Sequence, residues 1–383
     1  MRLSVLDQSA AAYGRGEDAA LRDTLELAAH CEALGYHRFW VSEHHGMPTI
    51  VGTAPEVLMA AIAARTSRIR IGSAGVMLPH YSAYKVAECF RVLDALAPGR
   101  IDLGVGRAPG SDRRTAQALN PHVSGMAEDF PEQVLDLQAW VSGAPHKGMA
   151  AHPRPPAADI GSIARSPELW ILGSSDYGAQ LAAHLGLPYA FAYFFMDGQG
   201  VEQALHLYRT LYRPSARHPS PRPTICVWAL VADTDEEARF HALSRERWRV
   251  DRNRGLLGPL RPPASIAQEG FAPAELPTVE AMRARAFVGT PERVAGQLRE
   301  LATALRLDEL VVNTWAHDPA VRRRSYALLA RAFGLSASTP GPVPDSVPVP
   351  VPAPAPVPAP VPALAPGPAP ARSGPALADL APR

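Results

Sequence analysis

The sequence predicts a (β/α)8 barrel of the TIM type with insertions, and three observations carry that prediction. Eight short apolar runs alternate with segments of helical period between residues 1 and 335. The runs are almost continuously apolar, as strands covered on both faces of a parallel sheet must be. A dinucleotide-binding fingerprint, which would favour a doubly wound open sheet instead, is not formed: "GVGRAPG" (104–110) has its third glycine one residue late, and Pro109 stands where the helix should begin.

The elements follow in order. "LSVLD" (3–7) is the first strand, and the helix over 19–34 is stopped by Gly35. "HRFWVS" (37–42) is the second strand, followed by a helix over 54–67 with Pro55 in its first turn. "RIRIGSAGVML" (68–78) is the third strand, with a helix over 83–99 closed by Pro98 and Gly99, and "RIDLGVG" (100–106) is the fourth. An irregular stretch, 107–167, holds one helix near 128–142. The alternation resumes with strand 169–175, helix 177–186, strand 188–195, helix 201–212, strand 224–233 and helix 235–250. A second irregular stretch, 252–279, precedes a helix reaching to 305, for which Thr290 is the expected N-cap and Pro291 the first residue. "LDELVVNTW" (307–315) is the eighth strand and 318–333 the last helix.

Composition narrows the function. The chain has 383 residues, 47% of them hydrophobic, and a net charge of +1 with both signs interspersed, which gives no basic surface for nucleic acid or membrane. No apolar run reaches a membrane span, and "MRLSVLDQS" lacks the apolar core of a signal peptide. Cys31, Cys89 and Cys226 lie far apart, so buried free thiols and a cytoplasmic location are expected. The segment 336–383 contains 16 of the 40 prolines, which fix φ and remove backbone donors. It is expected to be an extended, disordered Pro/Ala/Val-rich tail beside a barrel domain of residues 1–335.

A barrel of this type works at the C-terminal ends of its strands. Those ends read Asp7-Gln8-Ser9, Glu43-His44-His45, Ala74-Gly75, Gly106-Arg107, Gly173-Ser174-Ser175 and Asn313-Thr314, together one polar mouth. Adjacent strand residues point to opposite faces, so His44 and His45 are poorly placed to share a metal. One imidazole facing a reactant and exchanging a proton near neutral pH is the sharper reading; a carboxylate-bound structural histidine is the plainer one. Ser174 and Ser175 ahead of a helix starting near Tyr177 make an anion site, unless Ser175 or Asp176 simply caps the helix. Arg107 is suited to clamp such an anion, with a surface ion pair as its ordinary alternative. Phe194, Phe195 and Trp315 are candidate walls of an apolar pocket.

The segments "LGYHRFWVSEHHG", "IGSAGVMLPHYSAYKVAECFRVLDALAPGRIDLGVGRAPGSD" and "LWILGSSDYGAQLAAHLGLP" resemble the luciferase-like, flavin-dependent monooxygenases over residues 1–335. The resemblance implies a barrel that holds reduced FMN at its mouth, supplied by a separate NAD(P)H:flavin reductase. It implies an enzyme that forms a flavin C4a-(hydro)peroxide with O2 and oxygenates a small organic, apolar or secondary-metabolite substrate. By motif, His44 matches the catalytic histidine, with Glu43 or His45 fixing its tautomer, and Arg107 with Gly173, Ser174 and Ser175 matches the phosphate site. Ala74-Gly75 falls where the family places a non-prolyl cis peptide under the flavin ring. Two departures stand out: Ser174 replaces a glutamate and Gly178 a threonine, so that Tyr177 is left to supply phosphate contacts. The mobile loop of luciferase is not recognisable in 252–279, and light emission is not implied. Hydride transfer from coenzyme F420 and a non-catalytic flavin-binding subunit are the alternatives, and a homodimer is expected by analogy.

Overall fold

The expected strands close into a parallel ring of eight. In the computed structural model, which describes residues 1–108, 110–122, 128–162 and 165–336, they are β1 (Arg2–Asp7), β2 (Arg38–Val41), β3 (Arg70–Met77), β4 (Ile101–Gly106), β5 (Glu168–Gly173), β6 (Tyr189–Phe191), β7 (Pro223–Val231) and β9 (Glu309–Asn313). Each pairs in parallel with its neighbour, β6 with β7, β7 with β9 and β9 with β1, which completes the barrel. Pro109 and the expected tail beyond Ser336 lie outside the described residues.

Strand alternation sorts the side chains into an outer and an inner set. Leu3, Val5, Phe39, Val41, Ile71, Leu103, Ile171, Val227 and Val312 belong to one buried cluster with helix residues such as Leu27, Met59, Phe90 and Leu298. Inside the barrel the side chains stack in tiers. The lowest is ionic: Arg38, 1% exposed, donates to Asp102 at 2.7 Å, Glu168 at 3.0 Å and Glu309 at 2.9 Å. Arg70 adds a second cation to Asp102, and Arg222 adds one to Glu168 at 2.7 Å. Above it lie Leu6, Trp40, Trp170, Ala190, Cys226 and Val311. The Trp40 indole N–H donates to Asp102 at 2.9 Å, which ties the apolar tier to the ionic one. Gly72 leaves room for that indole; a Cβ there would lie 2.6 Å from it.

Several expectations need correction. The sixth strand ends at Phe191, and Tyr193–Phe195 forms a 3-10 turn, because β5 ends at Gly173, whose carbonyl takes the Ala192 N–H as the last bond of that ladder. The irregular stretches contain α4 (Arg113–Leu119), α9 (Pro263–Glu269) and α10 (Leu276–Ala284) besides the expected α5 (Phe130–Val141). A short strand, β8 (Phe287–Gly289), was not foreseen. It pairs Ala229, Leu230 and Val231, the part of the nine-residue β7 that rises past its contacts with β6 and β9. Thr290 occupies the N-cap of α11 (Pro291–Ala304), but its hydroxyl makes no capping bond; Asp235 accepts from the Thr290 N–H at 3.2 Å instead. Cys31 and Cys226 are buried as expected, whereas Cys89 is only half-buried. Among the described residues no helix is long and apolar enough to cross a membrane.

Candidate functional site

A cavity of about 240 Å³ opens at the C-terminal ends of the strands, with the apolar tier (Leu6, Trp40, Ala190, Cys226 and Val311) as its floor. His44, Ala74, Gly75, Arg107, Gly173, Ser174, Ser175 and Tyr177 all line it. Glu43 and His45 do not; they stand behind it. Eight of the ten residues singled out from the sequence thus line one cavity, and two stand one layer back.

The histidine end is built as follows. β2 stops at Val41, and the chain turns through Glu43, 1% exposed, which accepts from Tyr81 Oη at 2.7 Å, the Met77 N–H at 3.1 Å and His45 Nε2 at 2.8 Å. These bonds lock the Glu43–His45 pair against the β3 exit and turn His45 away from the mouth. His44 is therefore not supported by either neighbour, contrary to the expected arrangement. Its Nδ1 lies 3.3 Å from the Gly110 carbonyl. A carbonyl only accepts, so Nδ1 carries the proton and Nε2 presents a lone pair with no protein partner among the described residues. Burial pushes the His44 pKa down, and the neighbouring His45 and Arg252 charges push the same way against the Gly110 hydrogen bond. The imidazole is accordingly neutral at pH 7, an acceptor facing the cavity.

At the opposite end, α6 (Asp176–Leu185) starts from Ser175, whose extended backbone suits an N-cap but whose hydroxyl makes no capping bond. The N-capping alternative fails here, leaving the first-turn N–H groups and the Ser175 hydroxyl unspent. Arg107 crosses the rim with its guanidinium 3.9 Å from the Tyr177 ring centroid and has no carboxylate partner among the described residues. A surface ion pair is thus not its role. Arg107 without a carboxylate partner, two hydroxyls and a helix N-terminus lie together at this end of the cavity, a set of groups suited to an anion. A Cβ at Gly106 or Gly173 would meet nothing closer than 3.8 Å, so these glycines hold space open instead of relieving a clash.

Between the two ends the Ala74–Gly75 peptide is cis, at the point where the β3–β4 register shifts. A bulge beside a site re-aims the backbone. Gly75 admits no side chain, since a Cβ would lie 2.3 Å from Leu172 and 2.8 Å from the Gly104 carbonyl oxygen. On the far side of His44 a second chamber of about 50 Å³ is walled by Asn313 and Trp315, with Gln8, Phe194 and Phe195 shared between the two chambers. Asn313 Nδ2 donates to Gln8 Oε1 at 2.5 Å. Asp7 turns away from the mouth to accept from Arg322 at 3.0 Å.

Sequence reasoning missed Tyr81, Gly110 and Trp40 of the floor. Tyr81, in "LPHYS" directly after the third strand, was within reach of that reasoning; the Gly110 contact was not.

Comparison with known proteins gives the chain a family. The family model described as luciferase-like monooxygenase matches residues 1–308. The chain is 39% identical over 325 residues to a luciferase-like monooxygenase of Escherichia coli K12, covering 85% of this chain and 95% of that one. It is 37% identical over 340 residues to the N-acetyl-S-alkylcysteine monooxygenase of Bacillus subtilis, covering 87% and 98%. Among solved structures, apo-MsnO8 superposes with a TM-score of 0.79 at 37% identity, covering 88% of this chain and 99% of that one. Two more distant structures share the fold alone. One is 3,6-diketocamphane monooxygenase of Pseudomonas putida in complex with FMN (TM-score 0.63, 18% identity, covering 86% and 97%). The other is an F420-dependent secondary alcohol dehydrogenase with an F420-acetone adduct (0.60, 14%, 86% and 98%). With a family match across the barrel and close relatives along nearly their whole length, this chain is a member of the luciferase-like monooxygenases.

Proposed function

We propose that the chain is an FMN-dependent monooxygenase that uses reduced FMN and O2 to oxygenate a small organic substrate. The observation that carries this reading is the single cavity with an unspent anion site at one end and a neutral, acceptor-bearing His44 at the other. The residues fit the cofactor. Arg107, Ser174, Ser175 and the α6 N-terminus would hold its phosphate, Tyr177 would buttress Arg107, and the Ala74–Gly75 turn would lie against its ring. Reduced FMN supplies the electrons with which one atom of O2 enters the substrate and the other leaves as water. The protein orients the reactants over an apolar floor, excludes water, and accepts or returns a proton at His44 Nε2. Glu43 and His45 act at one remove, fixing the loop that carries His44. Delivery of reduced flavin by an NAD(P)H:flavin reductase, a homodimeric assembly, a cytoplasmic location and an extended tail after a barrel domain of residues 1–335 belong to the same reading.

The test has two stages. Titration with FMN, riboflavin and F420 reports which cofactor binds and whether the phosphate matters; binding of F420 without FMN would replace oxygen chemistry by hydride transfer. Protein loaded anaerobically with reduced FMN is then mixed with oxygen. Flavin oxidation at the rate of free flavin, in wild type and His44→Ala alike, refutes the reading.

A further inference from the structure

The second chamber has a chemistry of its own. It lies between His44 and α8 (Asp235–Asn253), which turns Arg245, Arg249 and Arg252 toward it. Residues spaced four and three apart share one helix face, so the three guanidinium groups form a stripe. One carboxylate answers them: Asp197 is 3.8 Å from Arg245 and 3.4 Å from Arg249. Arg252 has no carboxylate partner among the described residues and lies 5.6 Å from the Trp248 ring centroid. The other acids of α8 face elsewhere, Asp251 being held by Arg247 and Glu246 by Arg283.

Arg245 is buried, with its guanidinium 4.3 Å from the Trp228 ring centroid. Burial pushes its pKa down to about 10, so it remains charged at neutral pH, and Asp197, 3.8 Å away, is shared with Arg249. Two further donors are unsatisfied: the indole N–H groups of Trp228 and Trp315, each 5% exposed, have no hydrogen-bond partner among the described residues. Buried donors are normally satisfied, and two orphans beside a surplus of cations point to a missing acceptor. The volume limits what that acceptor is. About 50 Å³ holds roughly one or two waters' worth of matter, enough for a carboxylate and far too little for a nucleotide.

We propose that this chamber receives the carboxylate end of the substrate, so that the enzyme acts on an organic monoanion whose apolar body extends past His44 into the main cavity. This rests on the oxygenase reading for the fate of the substrate, but not for its capture. The apolar floor accepts the body and the arginine stripe with its indole donors accepts the charge, in the bidentate manner guanidinium groups favour. The expected apolar substrate thereby gains a charged end.

The experiment uses the full chain without cofactor and reads tryptophan fluorescence, since Trp228, Trp248 and Trp315 border the chamber. The probes are 4-phenylbutanoate and its neutral counterpart 4-phenylbutanamide. The acid is expected to bind at least about tenfold more tightly than the amide, as hydrogen bonds to a charged group require. In Arg252→Met, a change at an exposed position, and in Trp315→Phe, which removes the indole N–H together with part of the ring, that preference should shrink severalfold. Equal affinity for acid and amide, no saturable binding of the acid, or a preference that survives both changes overturns the proposal. FMN binding by the wild type, followed by flavin fluorescence, is a separate arm: its failure removes the oxygenase reading and leaves the anion result standing.

Discussion

Replacing Arg38 by Met removes one cation from beneath three carboxylates, and the structure fixes what remains. Asp102 keeps Arg70 and the Trp40 N–H, and Glu168 keeps Arg222 at 2.7 Å. Glu309 keeps the Ser4 hydroxyl at 2.5 Å, but its nearest cation becomes Arg2, half-exposed and 4.0 Å away. One carboxylate is therefore left nearly bare in a tier where Glu309 itself is 4% exposed. Breaking a buried ion pair by removing one partner costs about 3–5 kcal/mol, most of it from the stranded charge. Methionine fills much of the vacated volume, so the cavity contribution is small. Urea unfolding at pH 7, with fluorescence and circular dichroism compared for coincidence, should show that loss in the midpoint with an unchanged slope. Because Trp40 is held by Asp102, the variant should also weaken ligand binding at the cavity floor slightly. A loss below about 1 kcal/mol would mean that water screens the tier as it does a surface pair, and would refute the argument.

Four further outcomes are expected. Stability should fall in two stages on acidification: His37 and His218, each pushed down to about 4 by burial, favour the native state fully above 6.5 and cost stability as pH drops from there. Burial raises Glu168, but Arg38, Arg222 and Arg70 outweigh it and hold it at about 2, so its contribution is lost between 4.5 and about 2; urea midpoints against pH check both stages. Burial moves the His44 pKa below that of an ordinary imidazole, so under turnover the acid-side fall of kcat/KM should come at lower pH than an ordinary imidazole would give, and His44→Gln should lower kcat/KM about 10²-fold or more, as stopped-flow kinetics would show. Arg107→Met should weaken FMN by at least about tenfold and riboflavin hardly at all, which equilibrium titration separates. Gly75→Ala should destabilise by about 1–3 kcal/mol, since its Cβ has Leu172 at 2.3 Å and backbone at 2.8 Å, and a thermal melt reads the change.

What could be read from the sequence follows from its physics. Parallel strands covered on both faces write themselves as apolar runs, which is why "RIDLGVG" and "TICVWALVAD" fell where the barrel strands lie. β8 has three residues, too few for any period to show, and exists because β7 outgrows its neighbours. The mouth was legible because polar residues at strand ends contrast with apolar interiors. The ionic tier was not: Arg38, Glu168 and Glu309 each begin a strand, where a charge ordinarily meets water, and only barrel closure brings them together. His44 was assigned a partner from adjacency along the chain, whereas its Nδ1 is held by Gly110, 66 residues away. The arginine stripe did carry a signal, in the spacing of Arg245, Arg249 and Arg252, within a stretch whose charges otherwise read as a solvated helix face.

The overhang of β7 has a further consequence. Closure of the ring uses β7 through Trp228; the three residues beyond it, their partner β8 and the helix α8 between them belong to a buttress that closure does not require. The wall carrying the arginines is thus hung on the scaffold without being part of its hoop. Changes along α8 can reshape the second chamber while the register that seats His44 and the Gly173–Ser175 turn is left alone. Under the proposed reading, such a division lets one barrel keep its chemistry and exchange its clientele.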